Sequence, residues 1–182
     1  MVKSKSAYSE PTKSGKPEHH IIVVWVDNET GVLARVIGLF SGRGYNIESL
    51  AVAEVDKLKH LSRITIVSIG TPEVIKQIKL QLRKLLCVHK VADFDRGDPD
   101  ILFRELALFK IVASTKNQTK VKKACKKYNP VVLDKTKKSF VIQVTALRRE
   151  IDKLIKDLRP FGLVSVSRTG AVAMTRGAEI FK

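Results

Sequence analysis

A chain of 182 residues, 44% hydrophobic and 29% charged, has a globular composition with room for one large domain or two small ones. No apolar run approaches the ~20 residues of a membrane helix, and the longest, Ile21 to Val26, is the size of a strand. The net charge of +16 raises nucleic acid as a partner, while Cys87 and Cys125, each alone, suit a reducing cytoplasm rather than a disulfide framework.

Residues 1–19 read as a flexible basic tail of Lys, Ser and Pro with no apolar core of a signal peptide. Glu10, Glu18 and the lack of Arg argue against a transit peptide; if it is one, plastid or mitochondrion replaces cytoplasm. His20 to Val26 is a continuous apolar run, predicted as a buried strand. Val32, Leu33, Val36, Ile37 and Phe40 then recur at helical spacing, predicting a helix from about Gly31 to Arg43. Thr30 is its expected N-cap, and Gly42 and Gly44 its stop. Tyr45 to Val55 and Leu61 to Ile69 read as strands, Thr71-Pro72-Glu73 opens a second helix, and Leu86 to Phe94 closes the unit as a strand. Strand, helix, strand, strand, helix, strand is the ferredoxin-like βαββαβ order.

Asp95 to Asp100 is the expected boundary, giving a first domain over 20–95 and a linker over 96–103. The remainder, 104–182, repeats the pattern. Arg104 to Ala113 is a strand and Thr115 to Tyr128 a lysine-rich helix. Val131 to Asp134 with Ser139 to Thr145 forms a hairpin, and Arg148 to Leu158 is a helix. Gly162 to Ser167 is a strand, after which Arg168-Thr169-Gly170 reads as a turn into Ala171 to Met174. The fold class is therefore α+β, two ferredoxin-like domains in tandem. Ten lysines lie between Lys110 and Lys138 against one acid, Asp134. With one aromatic there, Tyr128, and no arginine cluster or zinc ligand set, the segment reads first as a solvated surface. A polyanion such as a nucleotide comes second and nucleic acid last.

No catalytic constellation is visible. The four histidines, His19, His20, His60 and His89, have no nucleophile and acid grouped with them. Cys87 and His89 are too sparse for a closed zinc site, so no metal is expected. Asp93, Asp95, Asp98 and Asp100 fall in a boundary loop, where solvation is the default. Gly38, Gly42 and Gly44 end a helix rather than open one, which rules out a dinucleotide loop.

The most informative stretch is Asp27 to Ile47. A strand runs into a polar loop, with Gly31 at the start of a helix whose first turn presents free N–H groups and the positive dipole end to a carboxylate-sized anion. Asn28 and Asn46 offer amide oxygens to an ammonium, and Val32, Leu33 and Ile47 an aliphatic wall. The start of the strand at Tyr45 is expected near the same end of the sheet. Together these describe a small aliphatic amino acid. The same residues also read as an ordinary turn, a helix start and a strand entry.

Asp27 to Leu50, DNETGVLARVIGLFSGRGYNIESL, closely resembles the ACT domain of the small subunit of acetohydroxyacid (acetolactate) synthase, and Leu61 to Ile66 continues it. Arg104 to Leu108 resembles the start of that family's second domain. Pro160 to Leu163 with Ser167 to Gly170 resembles its closing motif. The resemblance implies a regulatory subunit, not itself an enzyme, in valine, leucine and isoleucine synthesis. It would activate a catalytic large subunit and confer feedback inhibition. It also implies a homodimer joined edge to edge through ACT domains, with valine or a related branched-chain amino acid at the interface. Asn28, Gly31, Val32 and Leu33 of one chain would contact it with Asn46 and Ile47 of the other. Thiamine diphosphate, Mg and FAD are implied on the catalytic subunit and no cofactor on this chain. A free-standing ACT sensor of another enzyme is the alternative. The resemblance covers about Ile21 to Gly177; within it the lysine-rich segment from Thr115 to Lys138 matches no recognised pattern, and the tail lies outside it.

Overall fold

The computed structural model describes residues 16–95 and 98–178; residues 1–15, and with them the transit-peptide question, lie outside it. The first unit runs β1 (Glu18–Asp27), α1 (Val32–Ser41), β2 (Ile47–Asp56), β3 (Leu61–Gly70), α2 (Pro72–Leu82) and β4 (Val88–Asp95). The second runs β5 (Ile101–Val112), α3 (Thr115–Cys125), β6 (Val131–Lys135), β7 (Ser139–Ala146), α4 (Arg148–Leu158) and β8 (Leu163–Thr175). Each forms a four-stranded antiparallel sheet, ordered β2-β3-β1-β4 and β6-β7-β5-β8. Both are βαββαβ units. Among the described residues no helix is long and apolar enough to cross a membrane.

The unbroken apolar run in β1 follows from burial on both faces. Ile22, Val24 and Val26 point into a core with Val36 and Phe40 of α1, Ile64 and Ile66 of β3, and Ile75, Ile78 and Leu82 of α2. Ile21 and Val23 point the other way, with Val67, against Ile101, Phe103, Ala171 and Ala173 of the second unit. A strand covered on both sides has no polar alternation to show. The second unit has its own core: Ala107, Phe109 and Ile111 of β5 with Phe140 and Ile142 of β7, Val121 and Cys125 of α3, and Ile151, Leu154 and Leu158 of α4. Burial pushes the Cys125 thiol up to about 11.

Three local expectations are corrected. Thr30 does not cap α1; Gly31 occupies that position at φ 85°, because Val32 N–H closes a tight turn onto the Glu29 carbonyl at 3.3 Å. A β-branched residue resists that left-handed backbone, so the cap falls to the glycine. β5 starts at Ile101, inside the span read as linker, and Ile101 and Phe103 are buried in the seam between the units. Arg168-Thr169-Gly170 is not a turn. β8 continues through it as one 13-residue strand, and the pairing slips between Glu105↔Ala171 and Ala107↔Arg168. Gly170, at φ 82°, absorbs that slip as a β-bulge.

Candidate functional site

The loop from β1 to α1 is shaped by backbone bonds on both sides. Asn28 N–H donates to the His60 carbonyl at 2.7 Å, tying the exit of β1 to the β2–β3 turn. Arg35 N–H donates to the Gly31 carbonyl at 3.0 Å and closes the first turn of α1. Among the described residues no side chain caps α1, and no acid lies in its first turn. Helix geometry gives the N–H groups of Leu33 and Ala34 no acceptor four residues back. An added Cβ at Gly31 would meet nothing within 4 Å, so the approach to this helix end is open.

Asn28 is exposed but engaged. Its Nδ2 donates to Glu54 Oε1 at 3.0 Å, and its Oδ1 accepts from Ser62 Oγ at 2.9 Å. An amide oxygen keeps a second lone pair for a ligand ammonium. Glu54 and Ser62 were not visible as site residues from sequence. The signal is their register, Glu54↔Ser62 and Ser62↔Val26, which sets them across the sheet beside Asn28.

The remaining candidates divide. Leu33 is exposed at the mouth of α1, whereas Val32 is buried in the first core and offers a ligand no side-chain wall. Asn46 and Ile47 are not at this end of the sheet in the same chain, contrary to expectation. Ile47 pairs with Ser68, and Ser68 with His20 at the opposite end of β1. Eight residues separate His20 from Asn28, about 26 Å along a strand. The reason is topological: α1 carries the chain back, so β2 runs parallel to β1 and starts where β1 starts. Asn46 is exposed there, its carbonyl accepting from Ser68 Oγ at 2.7 Å, and Ile47 is half-buried.

The other singled-out groups have local partners. Cys87 is buried in the first core, while His89 is exposed, with Nε2 at 2.6 Å from Asp27 Oδ1. Asp93 and Asp95 lie on β4 rather than in the boundary loop, and Asp93 pairs with Lys79. Lys120, Lys122, Lys123, Lys126 and Lys127 are exposed along α3 and the turn after it.

The closing motif ties the second unit together through Arg168 and meets the first unit at Gly170. Arg168 grips buried Glu105 with Nε and Nη2 at 2.6 and 2.7 Å and reaches Asp152 at 2.6 Å, which holds its pKa well above the ordinary arginine value. At Gly170 a Cβ would overlap Ser49 Oγ, which itself accepts from Ala171 N–H at 3.3 Å. Arg63 of β3 donates to the Ala173 carbonyl, and burial lowers its pKa.

The comparisons follow this division. Residues 22–90 match the AHAS small subunit-like ACT domain, and residues 104–177 match the small subunit of acetolactate synthase. The chain is 40% identical to the acetolactate synthase small subunit of Aquifex aeolicus, over 92% of this chain and 86% of that one. It is 38% identical to the isozyme 3 small subunit of Escherichia coli K12, over 89% and 98%. The crystal structure of the Thermotoga maritima small subunit superposes with a TM-score of 0.80 at 30% identity, covering 89% of this chain and 99% of that one. With both units matched in order and the fold shared with the Thermotoga maritima small subunit, the chain belongs to the family of small, regulatory subunits of acetolactate synthase.

Proposed function

We propose that this chain senses valine, or a related branched-chain amino acid, at an interface between two copies and passes feedback inhibition to the catalytic subunit it activates. The observation that carries this is the splitting of the site. Asn28 and Gly31 lie at one end of the sheet and Asn46 and Ile47 at the other, while β2 is an open edge ten residues long. Val52 and Val55 are exposed on it. An isologous, two-fold pairing of β2 with its copy would close that edge antiparallel. It would set the start of one β2 beside the end of the other, bringing the partner's Asn46 and Ile47 toward Asn28 and Gly31. The α1 N-terminus would take the carboxylate, Asn28 and Glu54 the ammonium, and Leu33 with the partner's Ile47 the side chain.

A ligand held by both copies favours one dimer arrangement only by its differential affinity for it. The thiamine diphosphate, Mg and FAD chemistry would belong to the catalytic subunit, and the cytoplasm is the compartment its two buried free thiols suit. Calorimetric titration with valine, leucine and isoleucine tests the site. Gly31→Asp puts a carboxylate where the ligand's would sit and should weaken binding about thirtyfold or more. Gly31→Ala shares the backbone strain but not the charge and should bind far better. Wild-type affinity in Gly31→Asp, or a chain that sediments as a monomer with valine bound, would refute the reading.

A further inference from the structure

At the end of β1 opposite Asn28 and Gly31, His20 is 6% exposed and, among the described residues, neither ring nitrogen has a hydrogen-bond partner. A buried imidazole with neither nitrogen hydrogen-bonded costs free energy unless something else engages it. Its neighbours are carboxylates. Asp95 lies directly across the β1–β4 pairing from His20, and Glu18 is two residues earlier on the same face of β1. Ligand atoms of Glu18, His20 and Asp95 all lie within 4.8 Å of one another. Nδ1 of His20 is 3.1 Å from Asp95 Oδ1, yet the contact is not aligned as a hydrogen bond. That off-axis approach is what a shared ion requires, since a cation about 2.1 Å from both atoms sits on the nitrogen's lone-pair axis with the carboxylate beside it.

We propose that Glu18, His20 and Asp95 bind a divalent first-row transition ion of the zinc–cobalt class. One imidazole nitrogen with carboxylate oxygens is a donor set for such ions rather than for Mg or Ca, which take oxygen throughout. Two carboxylates balance the charge of a dication. Asp93, whose Oδ2 is 4.0 Å from His20 Nδ1, is held by Lys79 and drops out of the set. Both carboxylate residues are exposed, so water would complete the coordination. The ion would bridge the first residues of β1 to the last of β4, where the chain leaves the first unit, and act as a staple.

Zinc chloride and cobalt chloride, titrated into the untagged full chain, test this. The wild type should take up one equivalent of zinc per chain by calorimetry, show cobalt d–d absorption, and gain Tm with zinc. Asp95→Asn and Glu18→Gln, both at exposed positions, should each weaken binding more than about tenfold and lose the Tm gain, and His20→Asn should abolish the spectrum. If His20→Asn does not fold, the two carboxylate variants decide. Absence of stoichiometric uptake, or uptake unchanged in Asp95→Asn and Glu18→Gln, overturns the proposal.

Discussion

The junction from first strand to first helix occurs twice, once in each unit, and the two are built oppositely. Neither α1 nor α3 has a side-chain cap among the described residues, but at β1–α1 the cap is Gly31, at φ 85° with open space around it. At β5–α3 the chain closes on itself. Gln118, 6% exposed, donates from Nε2 to the carbonyls of Ala113 at 3.1 Å and Lys137 at 3.3 Å. Gly162 presses against the Val112 carbonyl so closely that a Cβ would overlap it. The edges differ as well: β2 has ten residues and β6 five. One topology thus yields an open strand–helix junction in the first unit and a tightly packed one in the second. What separates them is one glutamine and one glycine, not the fold.

Four measurements would break or sharpen this contrast. Gly162→Ala should be the most damaging. A left-handed residue with a Cβ costs about 1–2 kcal/mol, and overlap with backbone adds a similar amount, so a loss of about 3 kcal/mol is expected in urea unfolding. Gln118→Ala should cost about 1–3 kcal/mol, because two backbone carbonyls lose their donor; a neutral result would mean water fills the junction as well as glutamine does. Gly31→Ala should cost only about 1 kcal/mol, since backbone strain acts there without a clash; a loss matching Gly162→Ala would erase the distinction.

The smallest effect concerns Cys125 under α3. Burial holds its folded pKa at about 11, above the ordinary thiol value of 9.0. An acid held protonated by the fold stabilises it below the lower value, and that contribution falls away as pH rises from 9 to 11. Cys125→Ala should therefore flatten the stability profile across that range relative to the wild type. An identical slope in both proteins would show that the thiol ionises as freely folded as unfolded.

Much of the architecture was readable because its signals are local. The Val32–Val36–Phe40 spacing marks α1, and Thr71-Pro72 opens α2 as expected, with Thr71 Oγ1 accepting from Val74 N–H at 3.5 Å. The misreadings occur where a local rule meets a tertiary demand. Arg168-Thr169-Gly170 has the composition of a turn, yet Arg168 must reach Glu105 and Asp152, and the strand bulges rather than ends. Val32 continues an apolar helical stripe that a ligand wall and a core would share, and the core takes it. Glu54 and Ser62 carry no motif; only strand register brings them to Asn28.

By itself the sequence determined the order of the elements and their twofold repetition, because helix and strand periods are written within a few residues. Only the tertiary structure decided which distant residues share a place: that Asn28 and Ile47 stand at opposite ends of one sheet, and that His20 faces Asp95. Those placements depend on sheet order and on the direction in which α1 returns the chain. Both are set by how whole elements pack rather than by any residue's neighbours along the chain.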